Sequence, residues 1–285
     1  MLPNSYFISR GPVFWAYVRA VSQELGYAAP GEMPVKVHSA PEIASALCGR
    51  GLDGSVVYET TRGSTPFGED LVAYFTYRAD VLNRVVRNQL MDADEAAEVF
   101  RQTREMLNPA CPLPMNKQTG EKKAPAYLTG LVNMLVEANS AGHPCDYDPR
   151  ELTRFTRDGR ILRTFARRVD GAFPSVVNPV AIWEIKEYYY TTTFGSRVAD
   201  GVYETLLDGM ELRESSASEG VATKHCLMVD GRYTWWNCGK SYLCRLVDML
   251  NMGLVDEILV GREVVERLPQ LVREWVTMVR GRGGQ

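Results

Sequence analysis

Apolar residues recur at helical spacing through most of the first hundred positions. "PEIASALCGRG" (41–51) opens on a proline and stops at a glycine, and "EDLVAYFTYRADVLNRVVRNQL" (69–90) repeats its apolar positions every three to four residues. "DADEAAEVFRQTREML" (92–107) does the same after a break near Asp92. This region predicts helices. The stretch that follows, "NPACPLPMNKQTGEKKAPAY" (108–127), is rich in proline and lysine, holds a glycine at 120, and predicts an exposed loop or linker.

Beyond that loop the period changes. "YLTGLVNMLVEANSAG" (127–142) reads as a helix with a glycine stop. "ELTRFTRDGRILRTFARRVDG" (151–171) alternates around Asp158-Gly159 and reads as a hairpin. "PVAIWEIKEYYY" (179–190) is rich in β-formers, "SRVADGVYETLLDGMEL" (196–212) returns to helical spacing, and "ATKHCLMVDG" (222–231) is a short strand. Helices follow in "SYLCRLVDMLNMG" (241–253) and "REVVERLPQLVREWVTMV" (262–279). The second half thus runs α-β-β-β-α-β-α. The change of character between 110 and 126 divides the chain into a helical region, 1–115, for recognition or dimerisation, and a mixed α/β (α+β) domain, 116–285.

With 285 residues, 45% hydrophobic and 24% charged, the chain has the make-up of a folded protein with a sizeable core. No apolar run approaches a membrane span and the first twenty residues lack a signal-peptide pattern, so a cytoplasmic protein is expected. The six cysteines (48, 111, 145, 226, 238, 244) form no C-x-x-C pair, and the three histidines (38, 143, 225) do not fall at zinc-ligand spacing. Reduced structural thiols are expected. A net charge of −3 excludes coating nucleic acid by overall charge, while leaving room for a local basic surface.

The strand "AIWEIKEYYY" carries the chemistry. Residues two apart on a strand face the same way, so Glu184 and Lys186 project together with Ile182 and Tyr188. Burying such a pair costs several kcal/mol per ion before attraction returns any of it. About one acid-x-Lys triplet is expected by chance in this composition, and the chain holds two, Glu121–Lys123 and Glu184–Lys186. The first sits in the polar stretch "TGEKKAP". The second lies on a strand, and Asp170 comes fourteen positions earlier at the end of the preceding one. Context separates them.

Asp170, Glu184 and Lys186 in this arrangement resemble the PD-(D/E)xK nuclease superfamily, over about residues 127–260. The resemblance implies a restriction-endonuclease-like α-β-β-β-α-β core, Mg²⁺-dependent phosphodiester hydrolysis, and an acid on the helix before the first strand, for which Glu137 is the candidate. Val169 stands where that family often has proline. The chemistry agrees: two carboxylates from adjacent strands and the Ile185 backbone carbonyl would supply half an octahedron for Mg²⁺, with Mn²⁺ as a substitute. Lys186 beside it would orient water or stabilise the oxyanion.

The resemblance points to double-stranded DNA as substrate and to a type II restriction or host-defence nuclease. It also suggests a homodimer and a cognate methyltransferase as partners. A repair nuclease on branched or single-stranded DNA, and a non-catalytic DNA-binding protein, are the rival readings. Arg154, Arg157, Arg160, Arg163, Arg167 and Arg168 punctuate the hairpin before Asp170 and are candidates for phosphate contact. Lys117, Lys122 and Lys123 form a second candidate surface.

Overall fold

A computed structural model gives the fold and describes residues 1–118, 121–190 and 196–282. Helices α1 (Pro12–Leu25), α2 (Ala40–Gly49) and α3 (Pro66–Asp80) each start on a proline within their first turn. Ser39 and Glu42 close a capping box on α2, and the Thr65 hydroxyl accepts the Gly68 N–H to cap α3. Their apolar faces meet around Phe14, Trp15, Ile43, Leu71 and Tyr74. The α3 path continues through a wider turn, Val81–Val86, and a last helical turn, Arg87–Gln89. The break near Asp92 is the start of α4 (Ala93–Leu107), where Asp92 and Glu95 cap each other's backbone N–H.

The stretch expected as a loop contains a hairpin instead, β1 (Met115–Gln118) against β2 (Glu121–Pro125). Its prolines fall before the first strand or at the end of the second, so interior N–H groups stay free to pair. Then come α5 (Tyr127–Asn139), β3 (Asp146–Tyr147), β4 (Arg154–Arg157), β5 (Arg160–Thr164), β6 (Gly171–Phe173) and β7 (Ala181–Glu187). The chain ends with α6 (Ser196–Glu219), β8 (Lys224–Asp230), α7 (Lys240–Asn251), β9 (Glu257–Val260) and α8 (Glu263–Arg282). The protein is a mixed α+β fold.

Five strands form the central sheet in the order β9-β8-β7-β6-β3, with β7, β8 and β9 parallel and β6 and β3 antiparallel to their neighbours. The hairpin expected to supply the first two core strands is real, with Asp158 and Gly159 both at positive φ in its turn. It stands outside the sheet, however, as a separate β4–β5 pair. Of β4 and β5 only Phe155 is buried, packing with Phe165 and Ile182, too little for a strand of the central sheet; the apolar triplet Gly171–Phe173 and the short Asp146–Tyr147 take that place.

Strand alternation divides the two faces of the sheet. Trp183, Cys226, Met228 and Leu259 pack with α5 and α8, whereas Leu227, Val229, Ile258 and Val260 pack with α6, α7 and the end of α3. A buried ion pair ties the helical region to the sheet domain: Arg78 on α3 donates to both Asp248 oxygens on α7 at 3.0 and 3.1 Å. The Tyr74 hydroxyl donates to the same carboxylate. Among the described residues no helix is long and apolar enough to cross a membrane.

Candidate active site

Strand β7 is buried on both faces, and its two faces carry different chemistry. Trp183 points one way and stacks on Trp275 of α8 with ring centroids 5.5 Å apart. Glu184 and Lys186 point the other way, towards α6. Gly171 pairs with Trp183 across the antiparallel β6–β7 ladder, so Asp170 stands beside Glu184. The contact is direct. Asp170 Oδ2 accepts the Ile185 N–H at 2.7 Å, and the Asp170 N–H donates to Glu184 Oε1 at 3.3 Å. Sequence spacing and topology thus bring Asp170, Glu184, Ile185 and Lys186 together.

Helix α6 closes over these residues. Lys186 Nζ donates to Glu184 Oε2 and to Glu204 Oε2, each at 2.8 Å. Arg167, in the turn leaving the hairpin, lies with Nη1 2.9 Å from Glu184 Oε1 and 2.7 Å from Asp208 Oδ2. Its Nη2 is 3.4 Å from Glu204 Oε2. Gly201 completes the inner face of α6, where a Cβ would come within 3.0 Å of Lys186 Cδ. The missing side chain leaves the lysine room to lie flat beneath the helix.

Two cations therefore face four carboxylates, and the excess acid shows in the titration behaviour. Burial, then the charge of Glu184, pushes the Asp170 carboxyl up to about 6. Burial and Glu184 push Asp208 up to about 7, and its buried Oδ1 has no hydrogen-bond partner among the described residues. Burial opposes the ionised form of Glu184 as well, yet Lys186 and Arg167 hold its carboxyl below the usual range. Burial likewise opposes the Lys186 ammonium, and Glu184 and Asp170 overcome it, holding the amine above its ordinary value. Lys186 stays charged.

Asp170, half-buried, lies on the wall of two clefts. One cleft of about 430 Å³ is walled by Asp170, Ile185, Thr129, Asn133 and Asp148. A second, of about 600 Å³, is walled by Asp170, Asp148, Arg150, Arg167 and Arg168. No group of three or more His, Cys, Asp or Glu side chains disposed to hold a metal occurs among the described residues. The donor set is of another kind: two carboxylates in backbone contact plus the carbonyl between Glu184 and Lys186. That oxygen set, in a cluster with more acid than base, suits a hard cation.

The remaining candidate residues are placed as follows. Glu137 accepts the Ala110 N–H at 3.0 Å, and the α5 residues on the Asp170 cleft are Thr129 and Asn133, two turns and one turn earlier. Glu187, on the opposite face of β7 from Glu184, accepts the Thr129 N–H and hydroxyl at the start of α5. Arg154 pairs with Glu151, Arg157 donates to the Glu219 carbonyl, and Arg163 pairs with Glu214 and Glu219. Arg160 and Arg168 are exposed and carry no ion pair among the described residues. Lys117, Lys122 and Lys123 lie on the β1–β2 hairpin, and their side chains fall outside the described residues.

Glu204 and Asp208 were not among the residues that sequence reasoning picks out, and Arg167 counted only as one hairpin arginine of six. A signal exists for the first two. Gly201, Glu204 and Asp208 follow each other at intervals of three and four, one face of α6, in a helix whose other residues there are apolar or small.

A strand-borne acid-x-Lys, a carboxylate from the neighbouring strand and a charged helix face define a buried ionic centre opening onto two clefts of a mixed sheet. The chain belongs to the family described as Domain of unknown function (DUF7687), whose model matches residues 91–275. A second family model, Domain of unknown function (DUF7690), matches residues 1–85. Neither a curated protein nor a solved structure matches the chain significantly.

Proposed function

We propose that the protein is a Mg²⁺-dependent DNA endonuclease, of type II restriction or host-defence kind, with a PD-(D/E)xK-like core. The observation that carries this reading is the convergence of Asp170, Glu184 and Lys186 across the β6–β7 ladder. The order α5, β3, β6, β7, α6, β8 supports it, being the α-β-β-β-α-β order that the resemblance implies.

Asp170, Glu184 and the Ile185 carbonyl would hold Mg²⁺, with Mn²⁺ able to replace it. A bound divalent cation supplies charge neutralisation at the phosphate and a water acidic enough to attack at neutral pH. Asp170, on the wall of both clefts, would orient that water. Lys186 is held as an ammonium, so it donates a hydrogen bond and stabilises negative charge on the phosphoryl oxygens; it does not take up a proton. Helix α6 excludes solvent from behind the lysine. Arg160 and Arg168 are the hairpin arginines free to meet the backbone of double-stranded DNA. Cutting both strands calls for two centres, hence a homodimer, and a restriction role calls for a cognate methyltransferase.

One observation favours a second reading, a DNA-binding protein that does not cut: both Glu184 oxygens are occupied by cations, as in a purely structural ion cluster. Incubating wild type and Glu184→Ala with plasmid and phage DNA, in Mg²⁺ and in EDTA, separates the two. Metal-dependent fragments lost in the variant are expected. Undegraded DNA with no calorimetric Mg²⁺ binding would favour the second reading.

A further inference from the structure

The Glu184 side chain has 0% exposure, with Arg167 on one oxygen and Lys186 on the other. No ligand reaches this carboxylate unless a cation moves. Lys186, whose side chain is 9% exposed, lies beneath α6 against Gly201. Arg167 is 22% exposed and forms part of the wall of the 600 Å³ cleft beside Asp170. Arg167 is the cation that can turn outwards.

It can do so without coming loose. Its Nη1 is shared between Glu184 and Asp208, and its Nη2 reaches Glu204. The planar fork has five N–H donors, so contacts to Asp208 and Glu204 can stay while one donor is released. Asp208 is fully buried in the inner face of α6 and so provides a fixed anchor.

We infer that Arg167 is a positioning residue exchanged between Glu184 and the phosphodiester, tethered throughout by Asp208 and Glu204. Without metal it neutralises Glu184. With a divalent cation on Glu184 Oε1, the guanidinium would keep its α6 anchor and turn into the cleft, where it would donate to a phosphate oxygen. This rests on the nuclease reading and adds to it a role for the turn before Asp170.

The test is Mn²⁺ titration calorimetry without DNA, and single-turnover DNA cleavage at saturating Mg²⁺, on wild type and Arg167→Ala. Opposite signs are expected: Mn²⁺ affinity rises at least tenfold because the competing cation is gone, while the cleavage rate falls at least tenfold. A structural ion pair would lower both. Unchanged or weaker Mn²⁺ binding overturns the exchange, and unchanged cleavage overturns the phosphate contact. If circular dichroism finds Arg167→Ala unfolded, Arg167→Gln makes the same comparison. Wild type that binds no Mn²⁺ sinks the nuclease reading and this inference together; wild type that binds and cleaves, with a variant that behaves identically, sinks this inference alone.

Discussion

Gly171 and Trp183 are register partners, and a Cβ on Gly171 would stand 2.2 Å from the indole ring. The ladder that places Asp170 beside Glu184 therefore depends on position 171 having no side chain. Gly171→Ala is expected to destabilise the fold by about 1–3 kcal/mol, the usual range for overpacking a filled core. It should also loosen the Asp170–Ile185 contact. Urea denaturation reads the first effect; an unchanged midpoint would mean that the indole yields freely.

Asp170→Asn and Lys186→Gln keep side-chain volume while removing charge. Each is expected to lower the cleavage rate by about a hundredfold or more, the scale of losing one charge-stabilising group. Far-ultraviolet circular dichroism should stay unchanged. Cleavage at wild-type rate by Asp170→Asn would remove this residue from the centre.

Asp230 offers a pH test away from the centre. Burial pushes its carboxyl up to about 7, although it accepts the Tyr189 hydroxyl and the Met91 and Gly231 N–H groups. The folded state thus holds this proton more tightly than the unfolded chain does. Stability from this group is full below the ordinary aspartate value of about 4 and is lost as pH rises towards 7, by up to about 1.4 kcal/mol per pH unit. Asp230→Asn should flatten the wild-type decline between those limits. Parallel stability-versus-pH curves for the two proteins would contradict the assignment.

Two hairpin arginines should behave differently. Arg160→Ala is expected to weaken DNA binding across sequences and to reduce the salt-dependence slope by about one. Arg163, already paired with Glu214 and Glu219, should leave that slope unchanged when replaced by alanine. Fluorescence anisotropy over a salt series measures both. A steeper loss at Arg163 would mean that its acid partners exchange for phosphate.

Much of the centre was legible because it obeys strand alternation. Glu184 and Lys186 share a face by period alone; Asp170, expected at the end of the hairpin strand, instead immediately precedes β6 and meets Glu184 through the antiparallel β6–β7 ladder. The helices were legible through their apolar spacing and the break near Asp92, which the structure shows to be a cap. The core strands before β7 were not. Two- and three-residue strands such as Asp146–Tyr147 and Gly171–Phe173 are too short to show a period, while the alternating hairpin beside them shows one and stands outside the sheet. Glu204 and Asp208, and the part Arg167 plays between them, escaped notice for a related reason. Their meeting is set by how α6 crosses the sheet, a long-range relation that no local spacing encodes.

Arg78 belongs to the span matched by one family model and Asp248 to the span matched by the other. Neither charge has another ion-pair partner among the described residues, so exchanging one segment for an unrelated one would strand a lone ion in a dry interior. Recombination between relatives can shuffle the two segments only as a matched set, and an aspartate at position 248 should travel with an arginine at 78 across lineages.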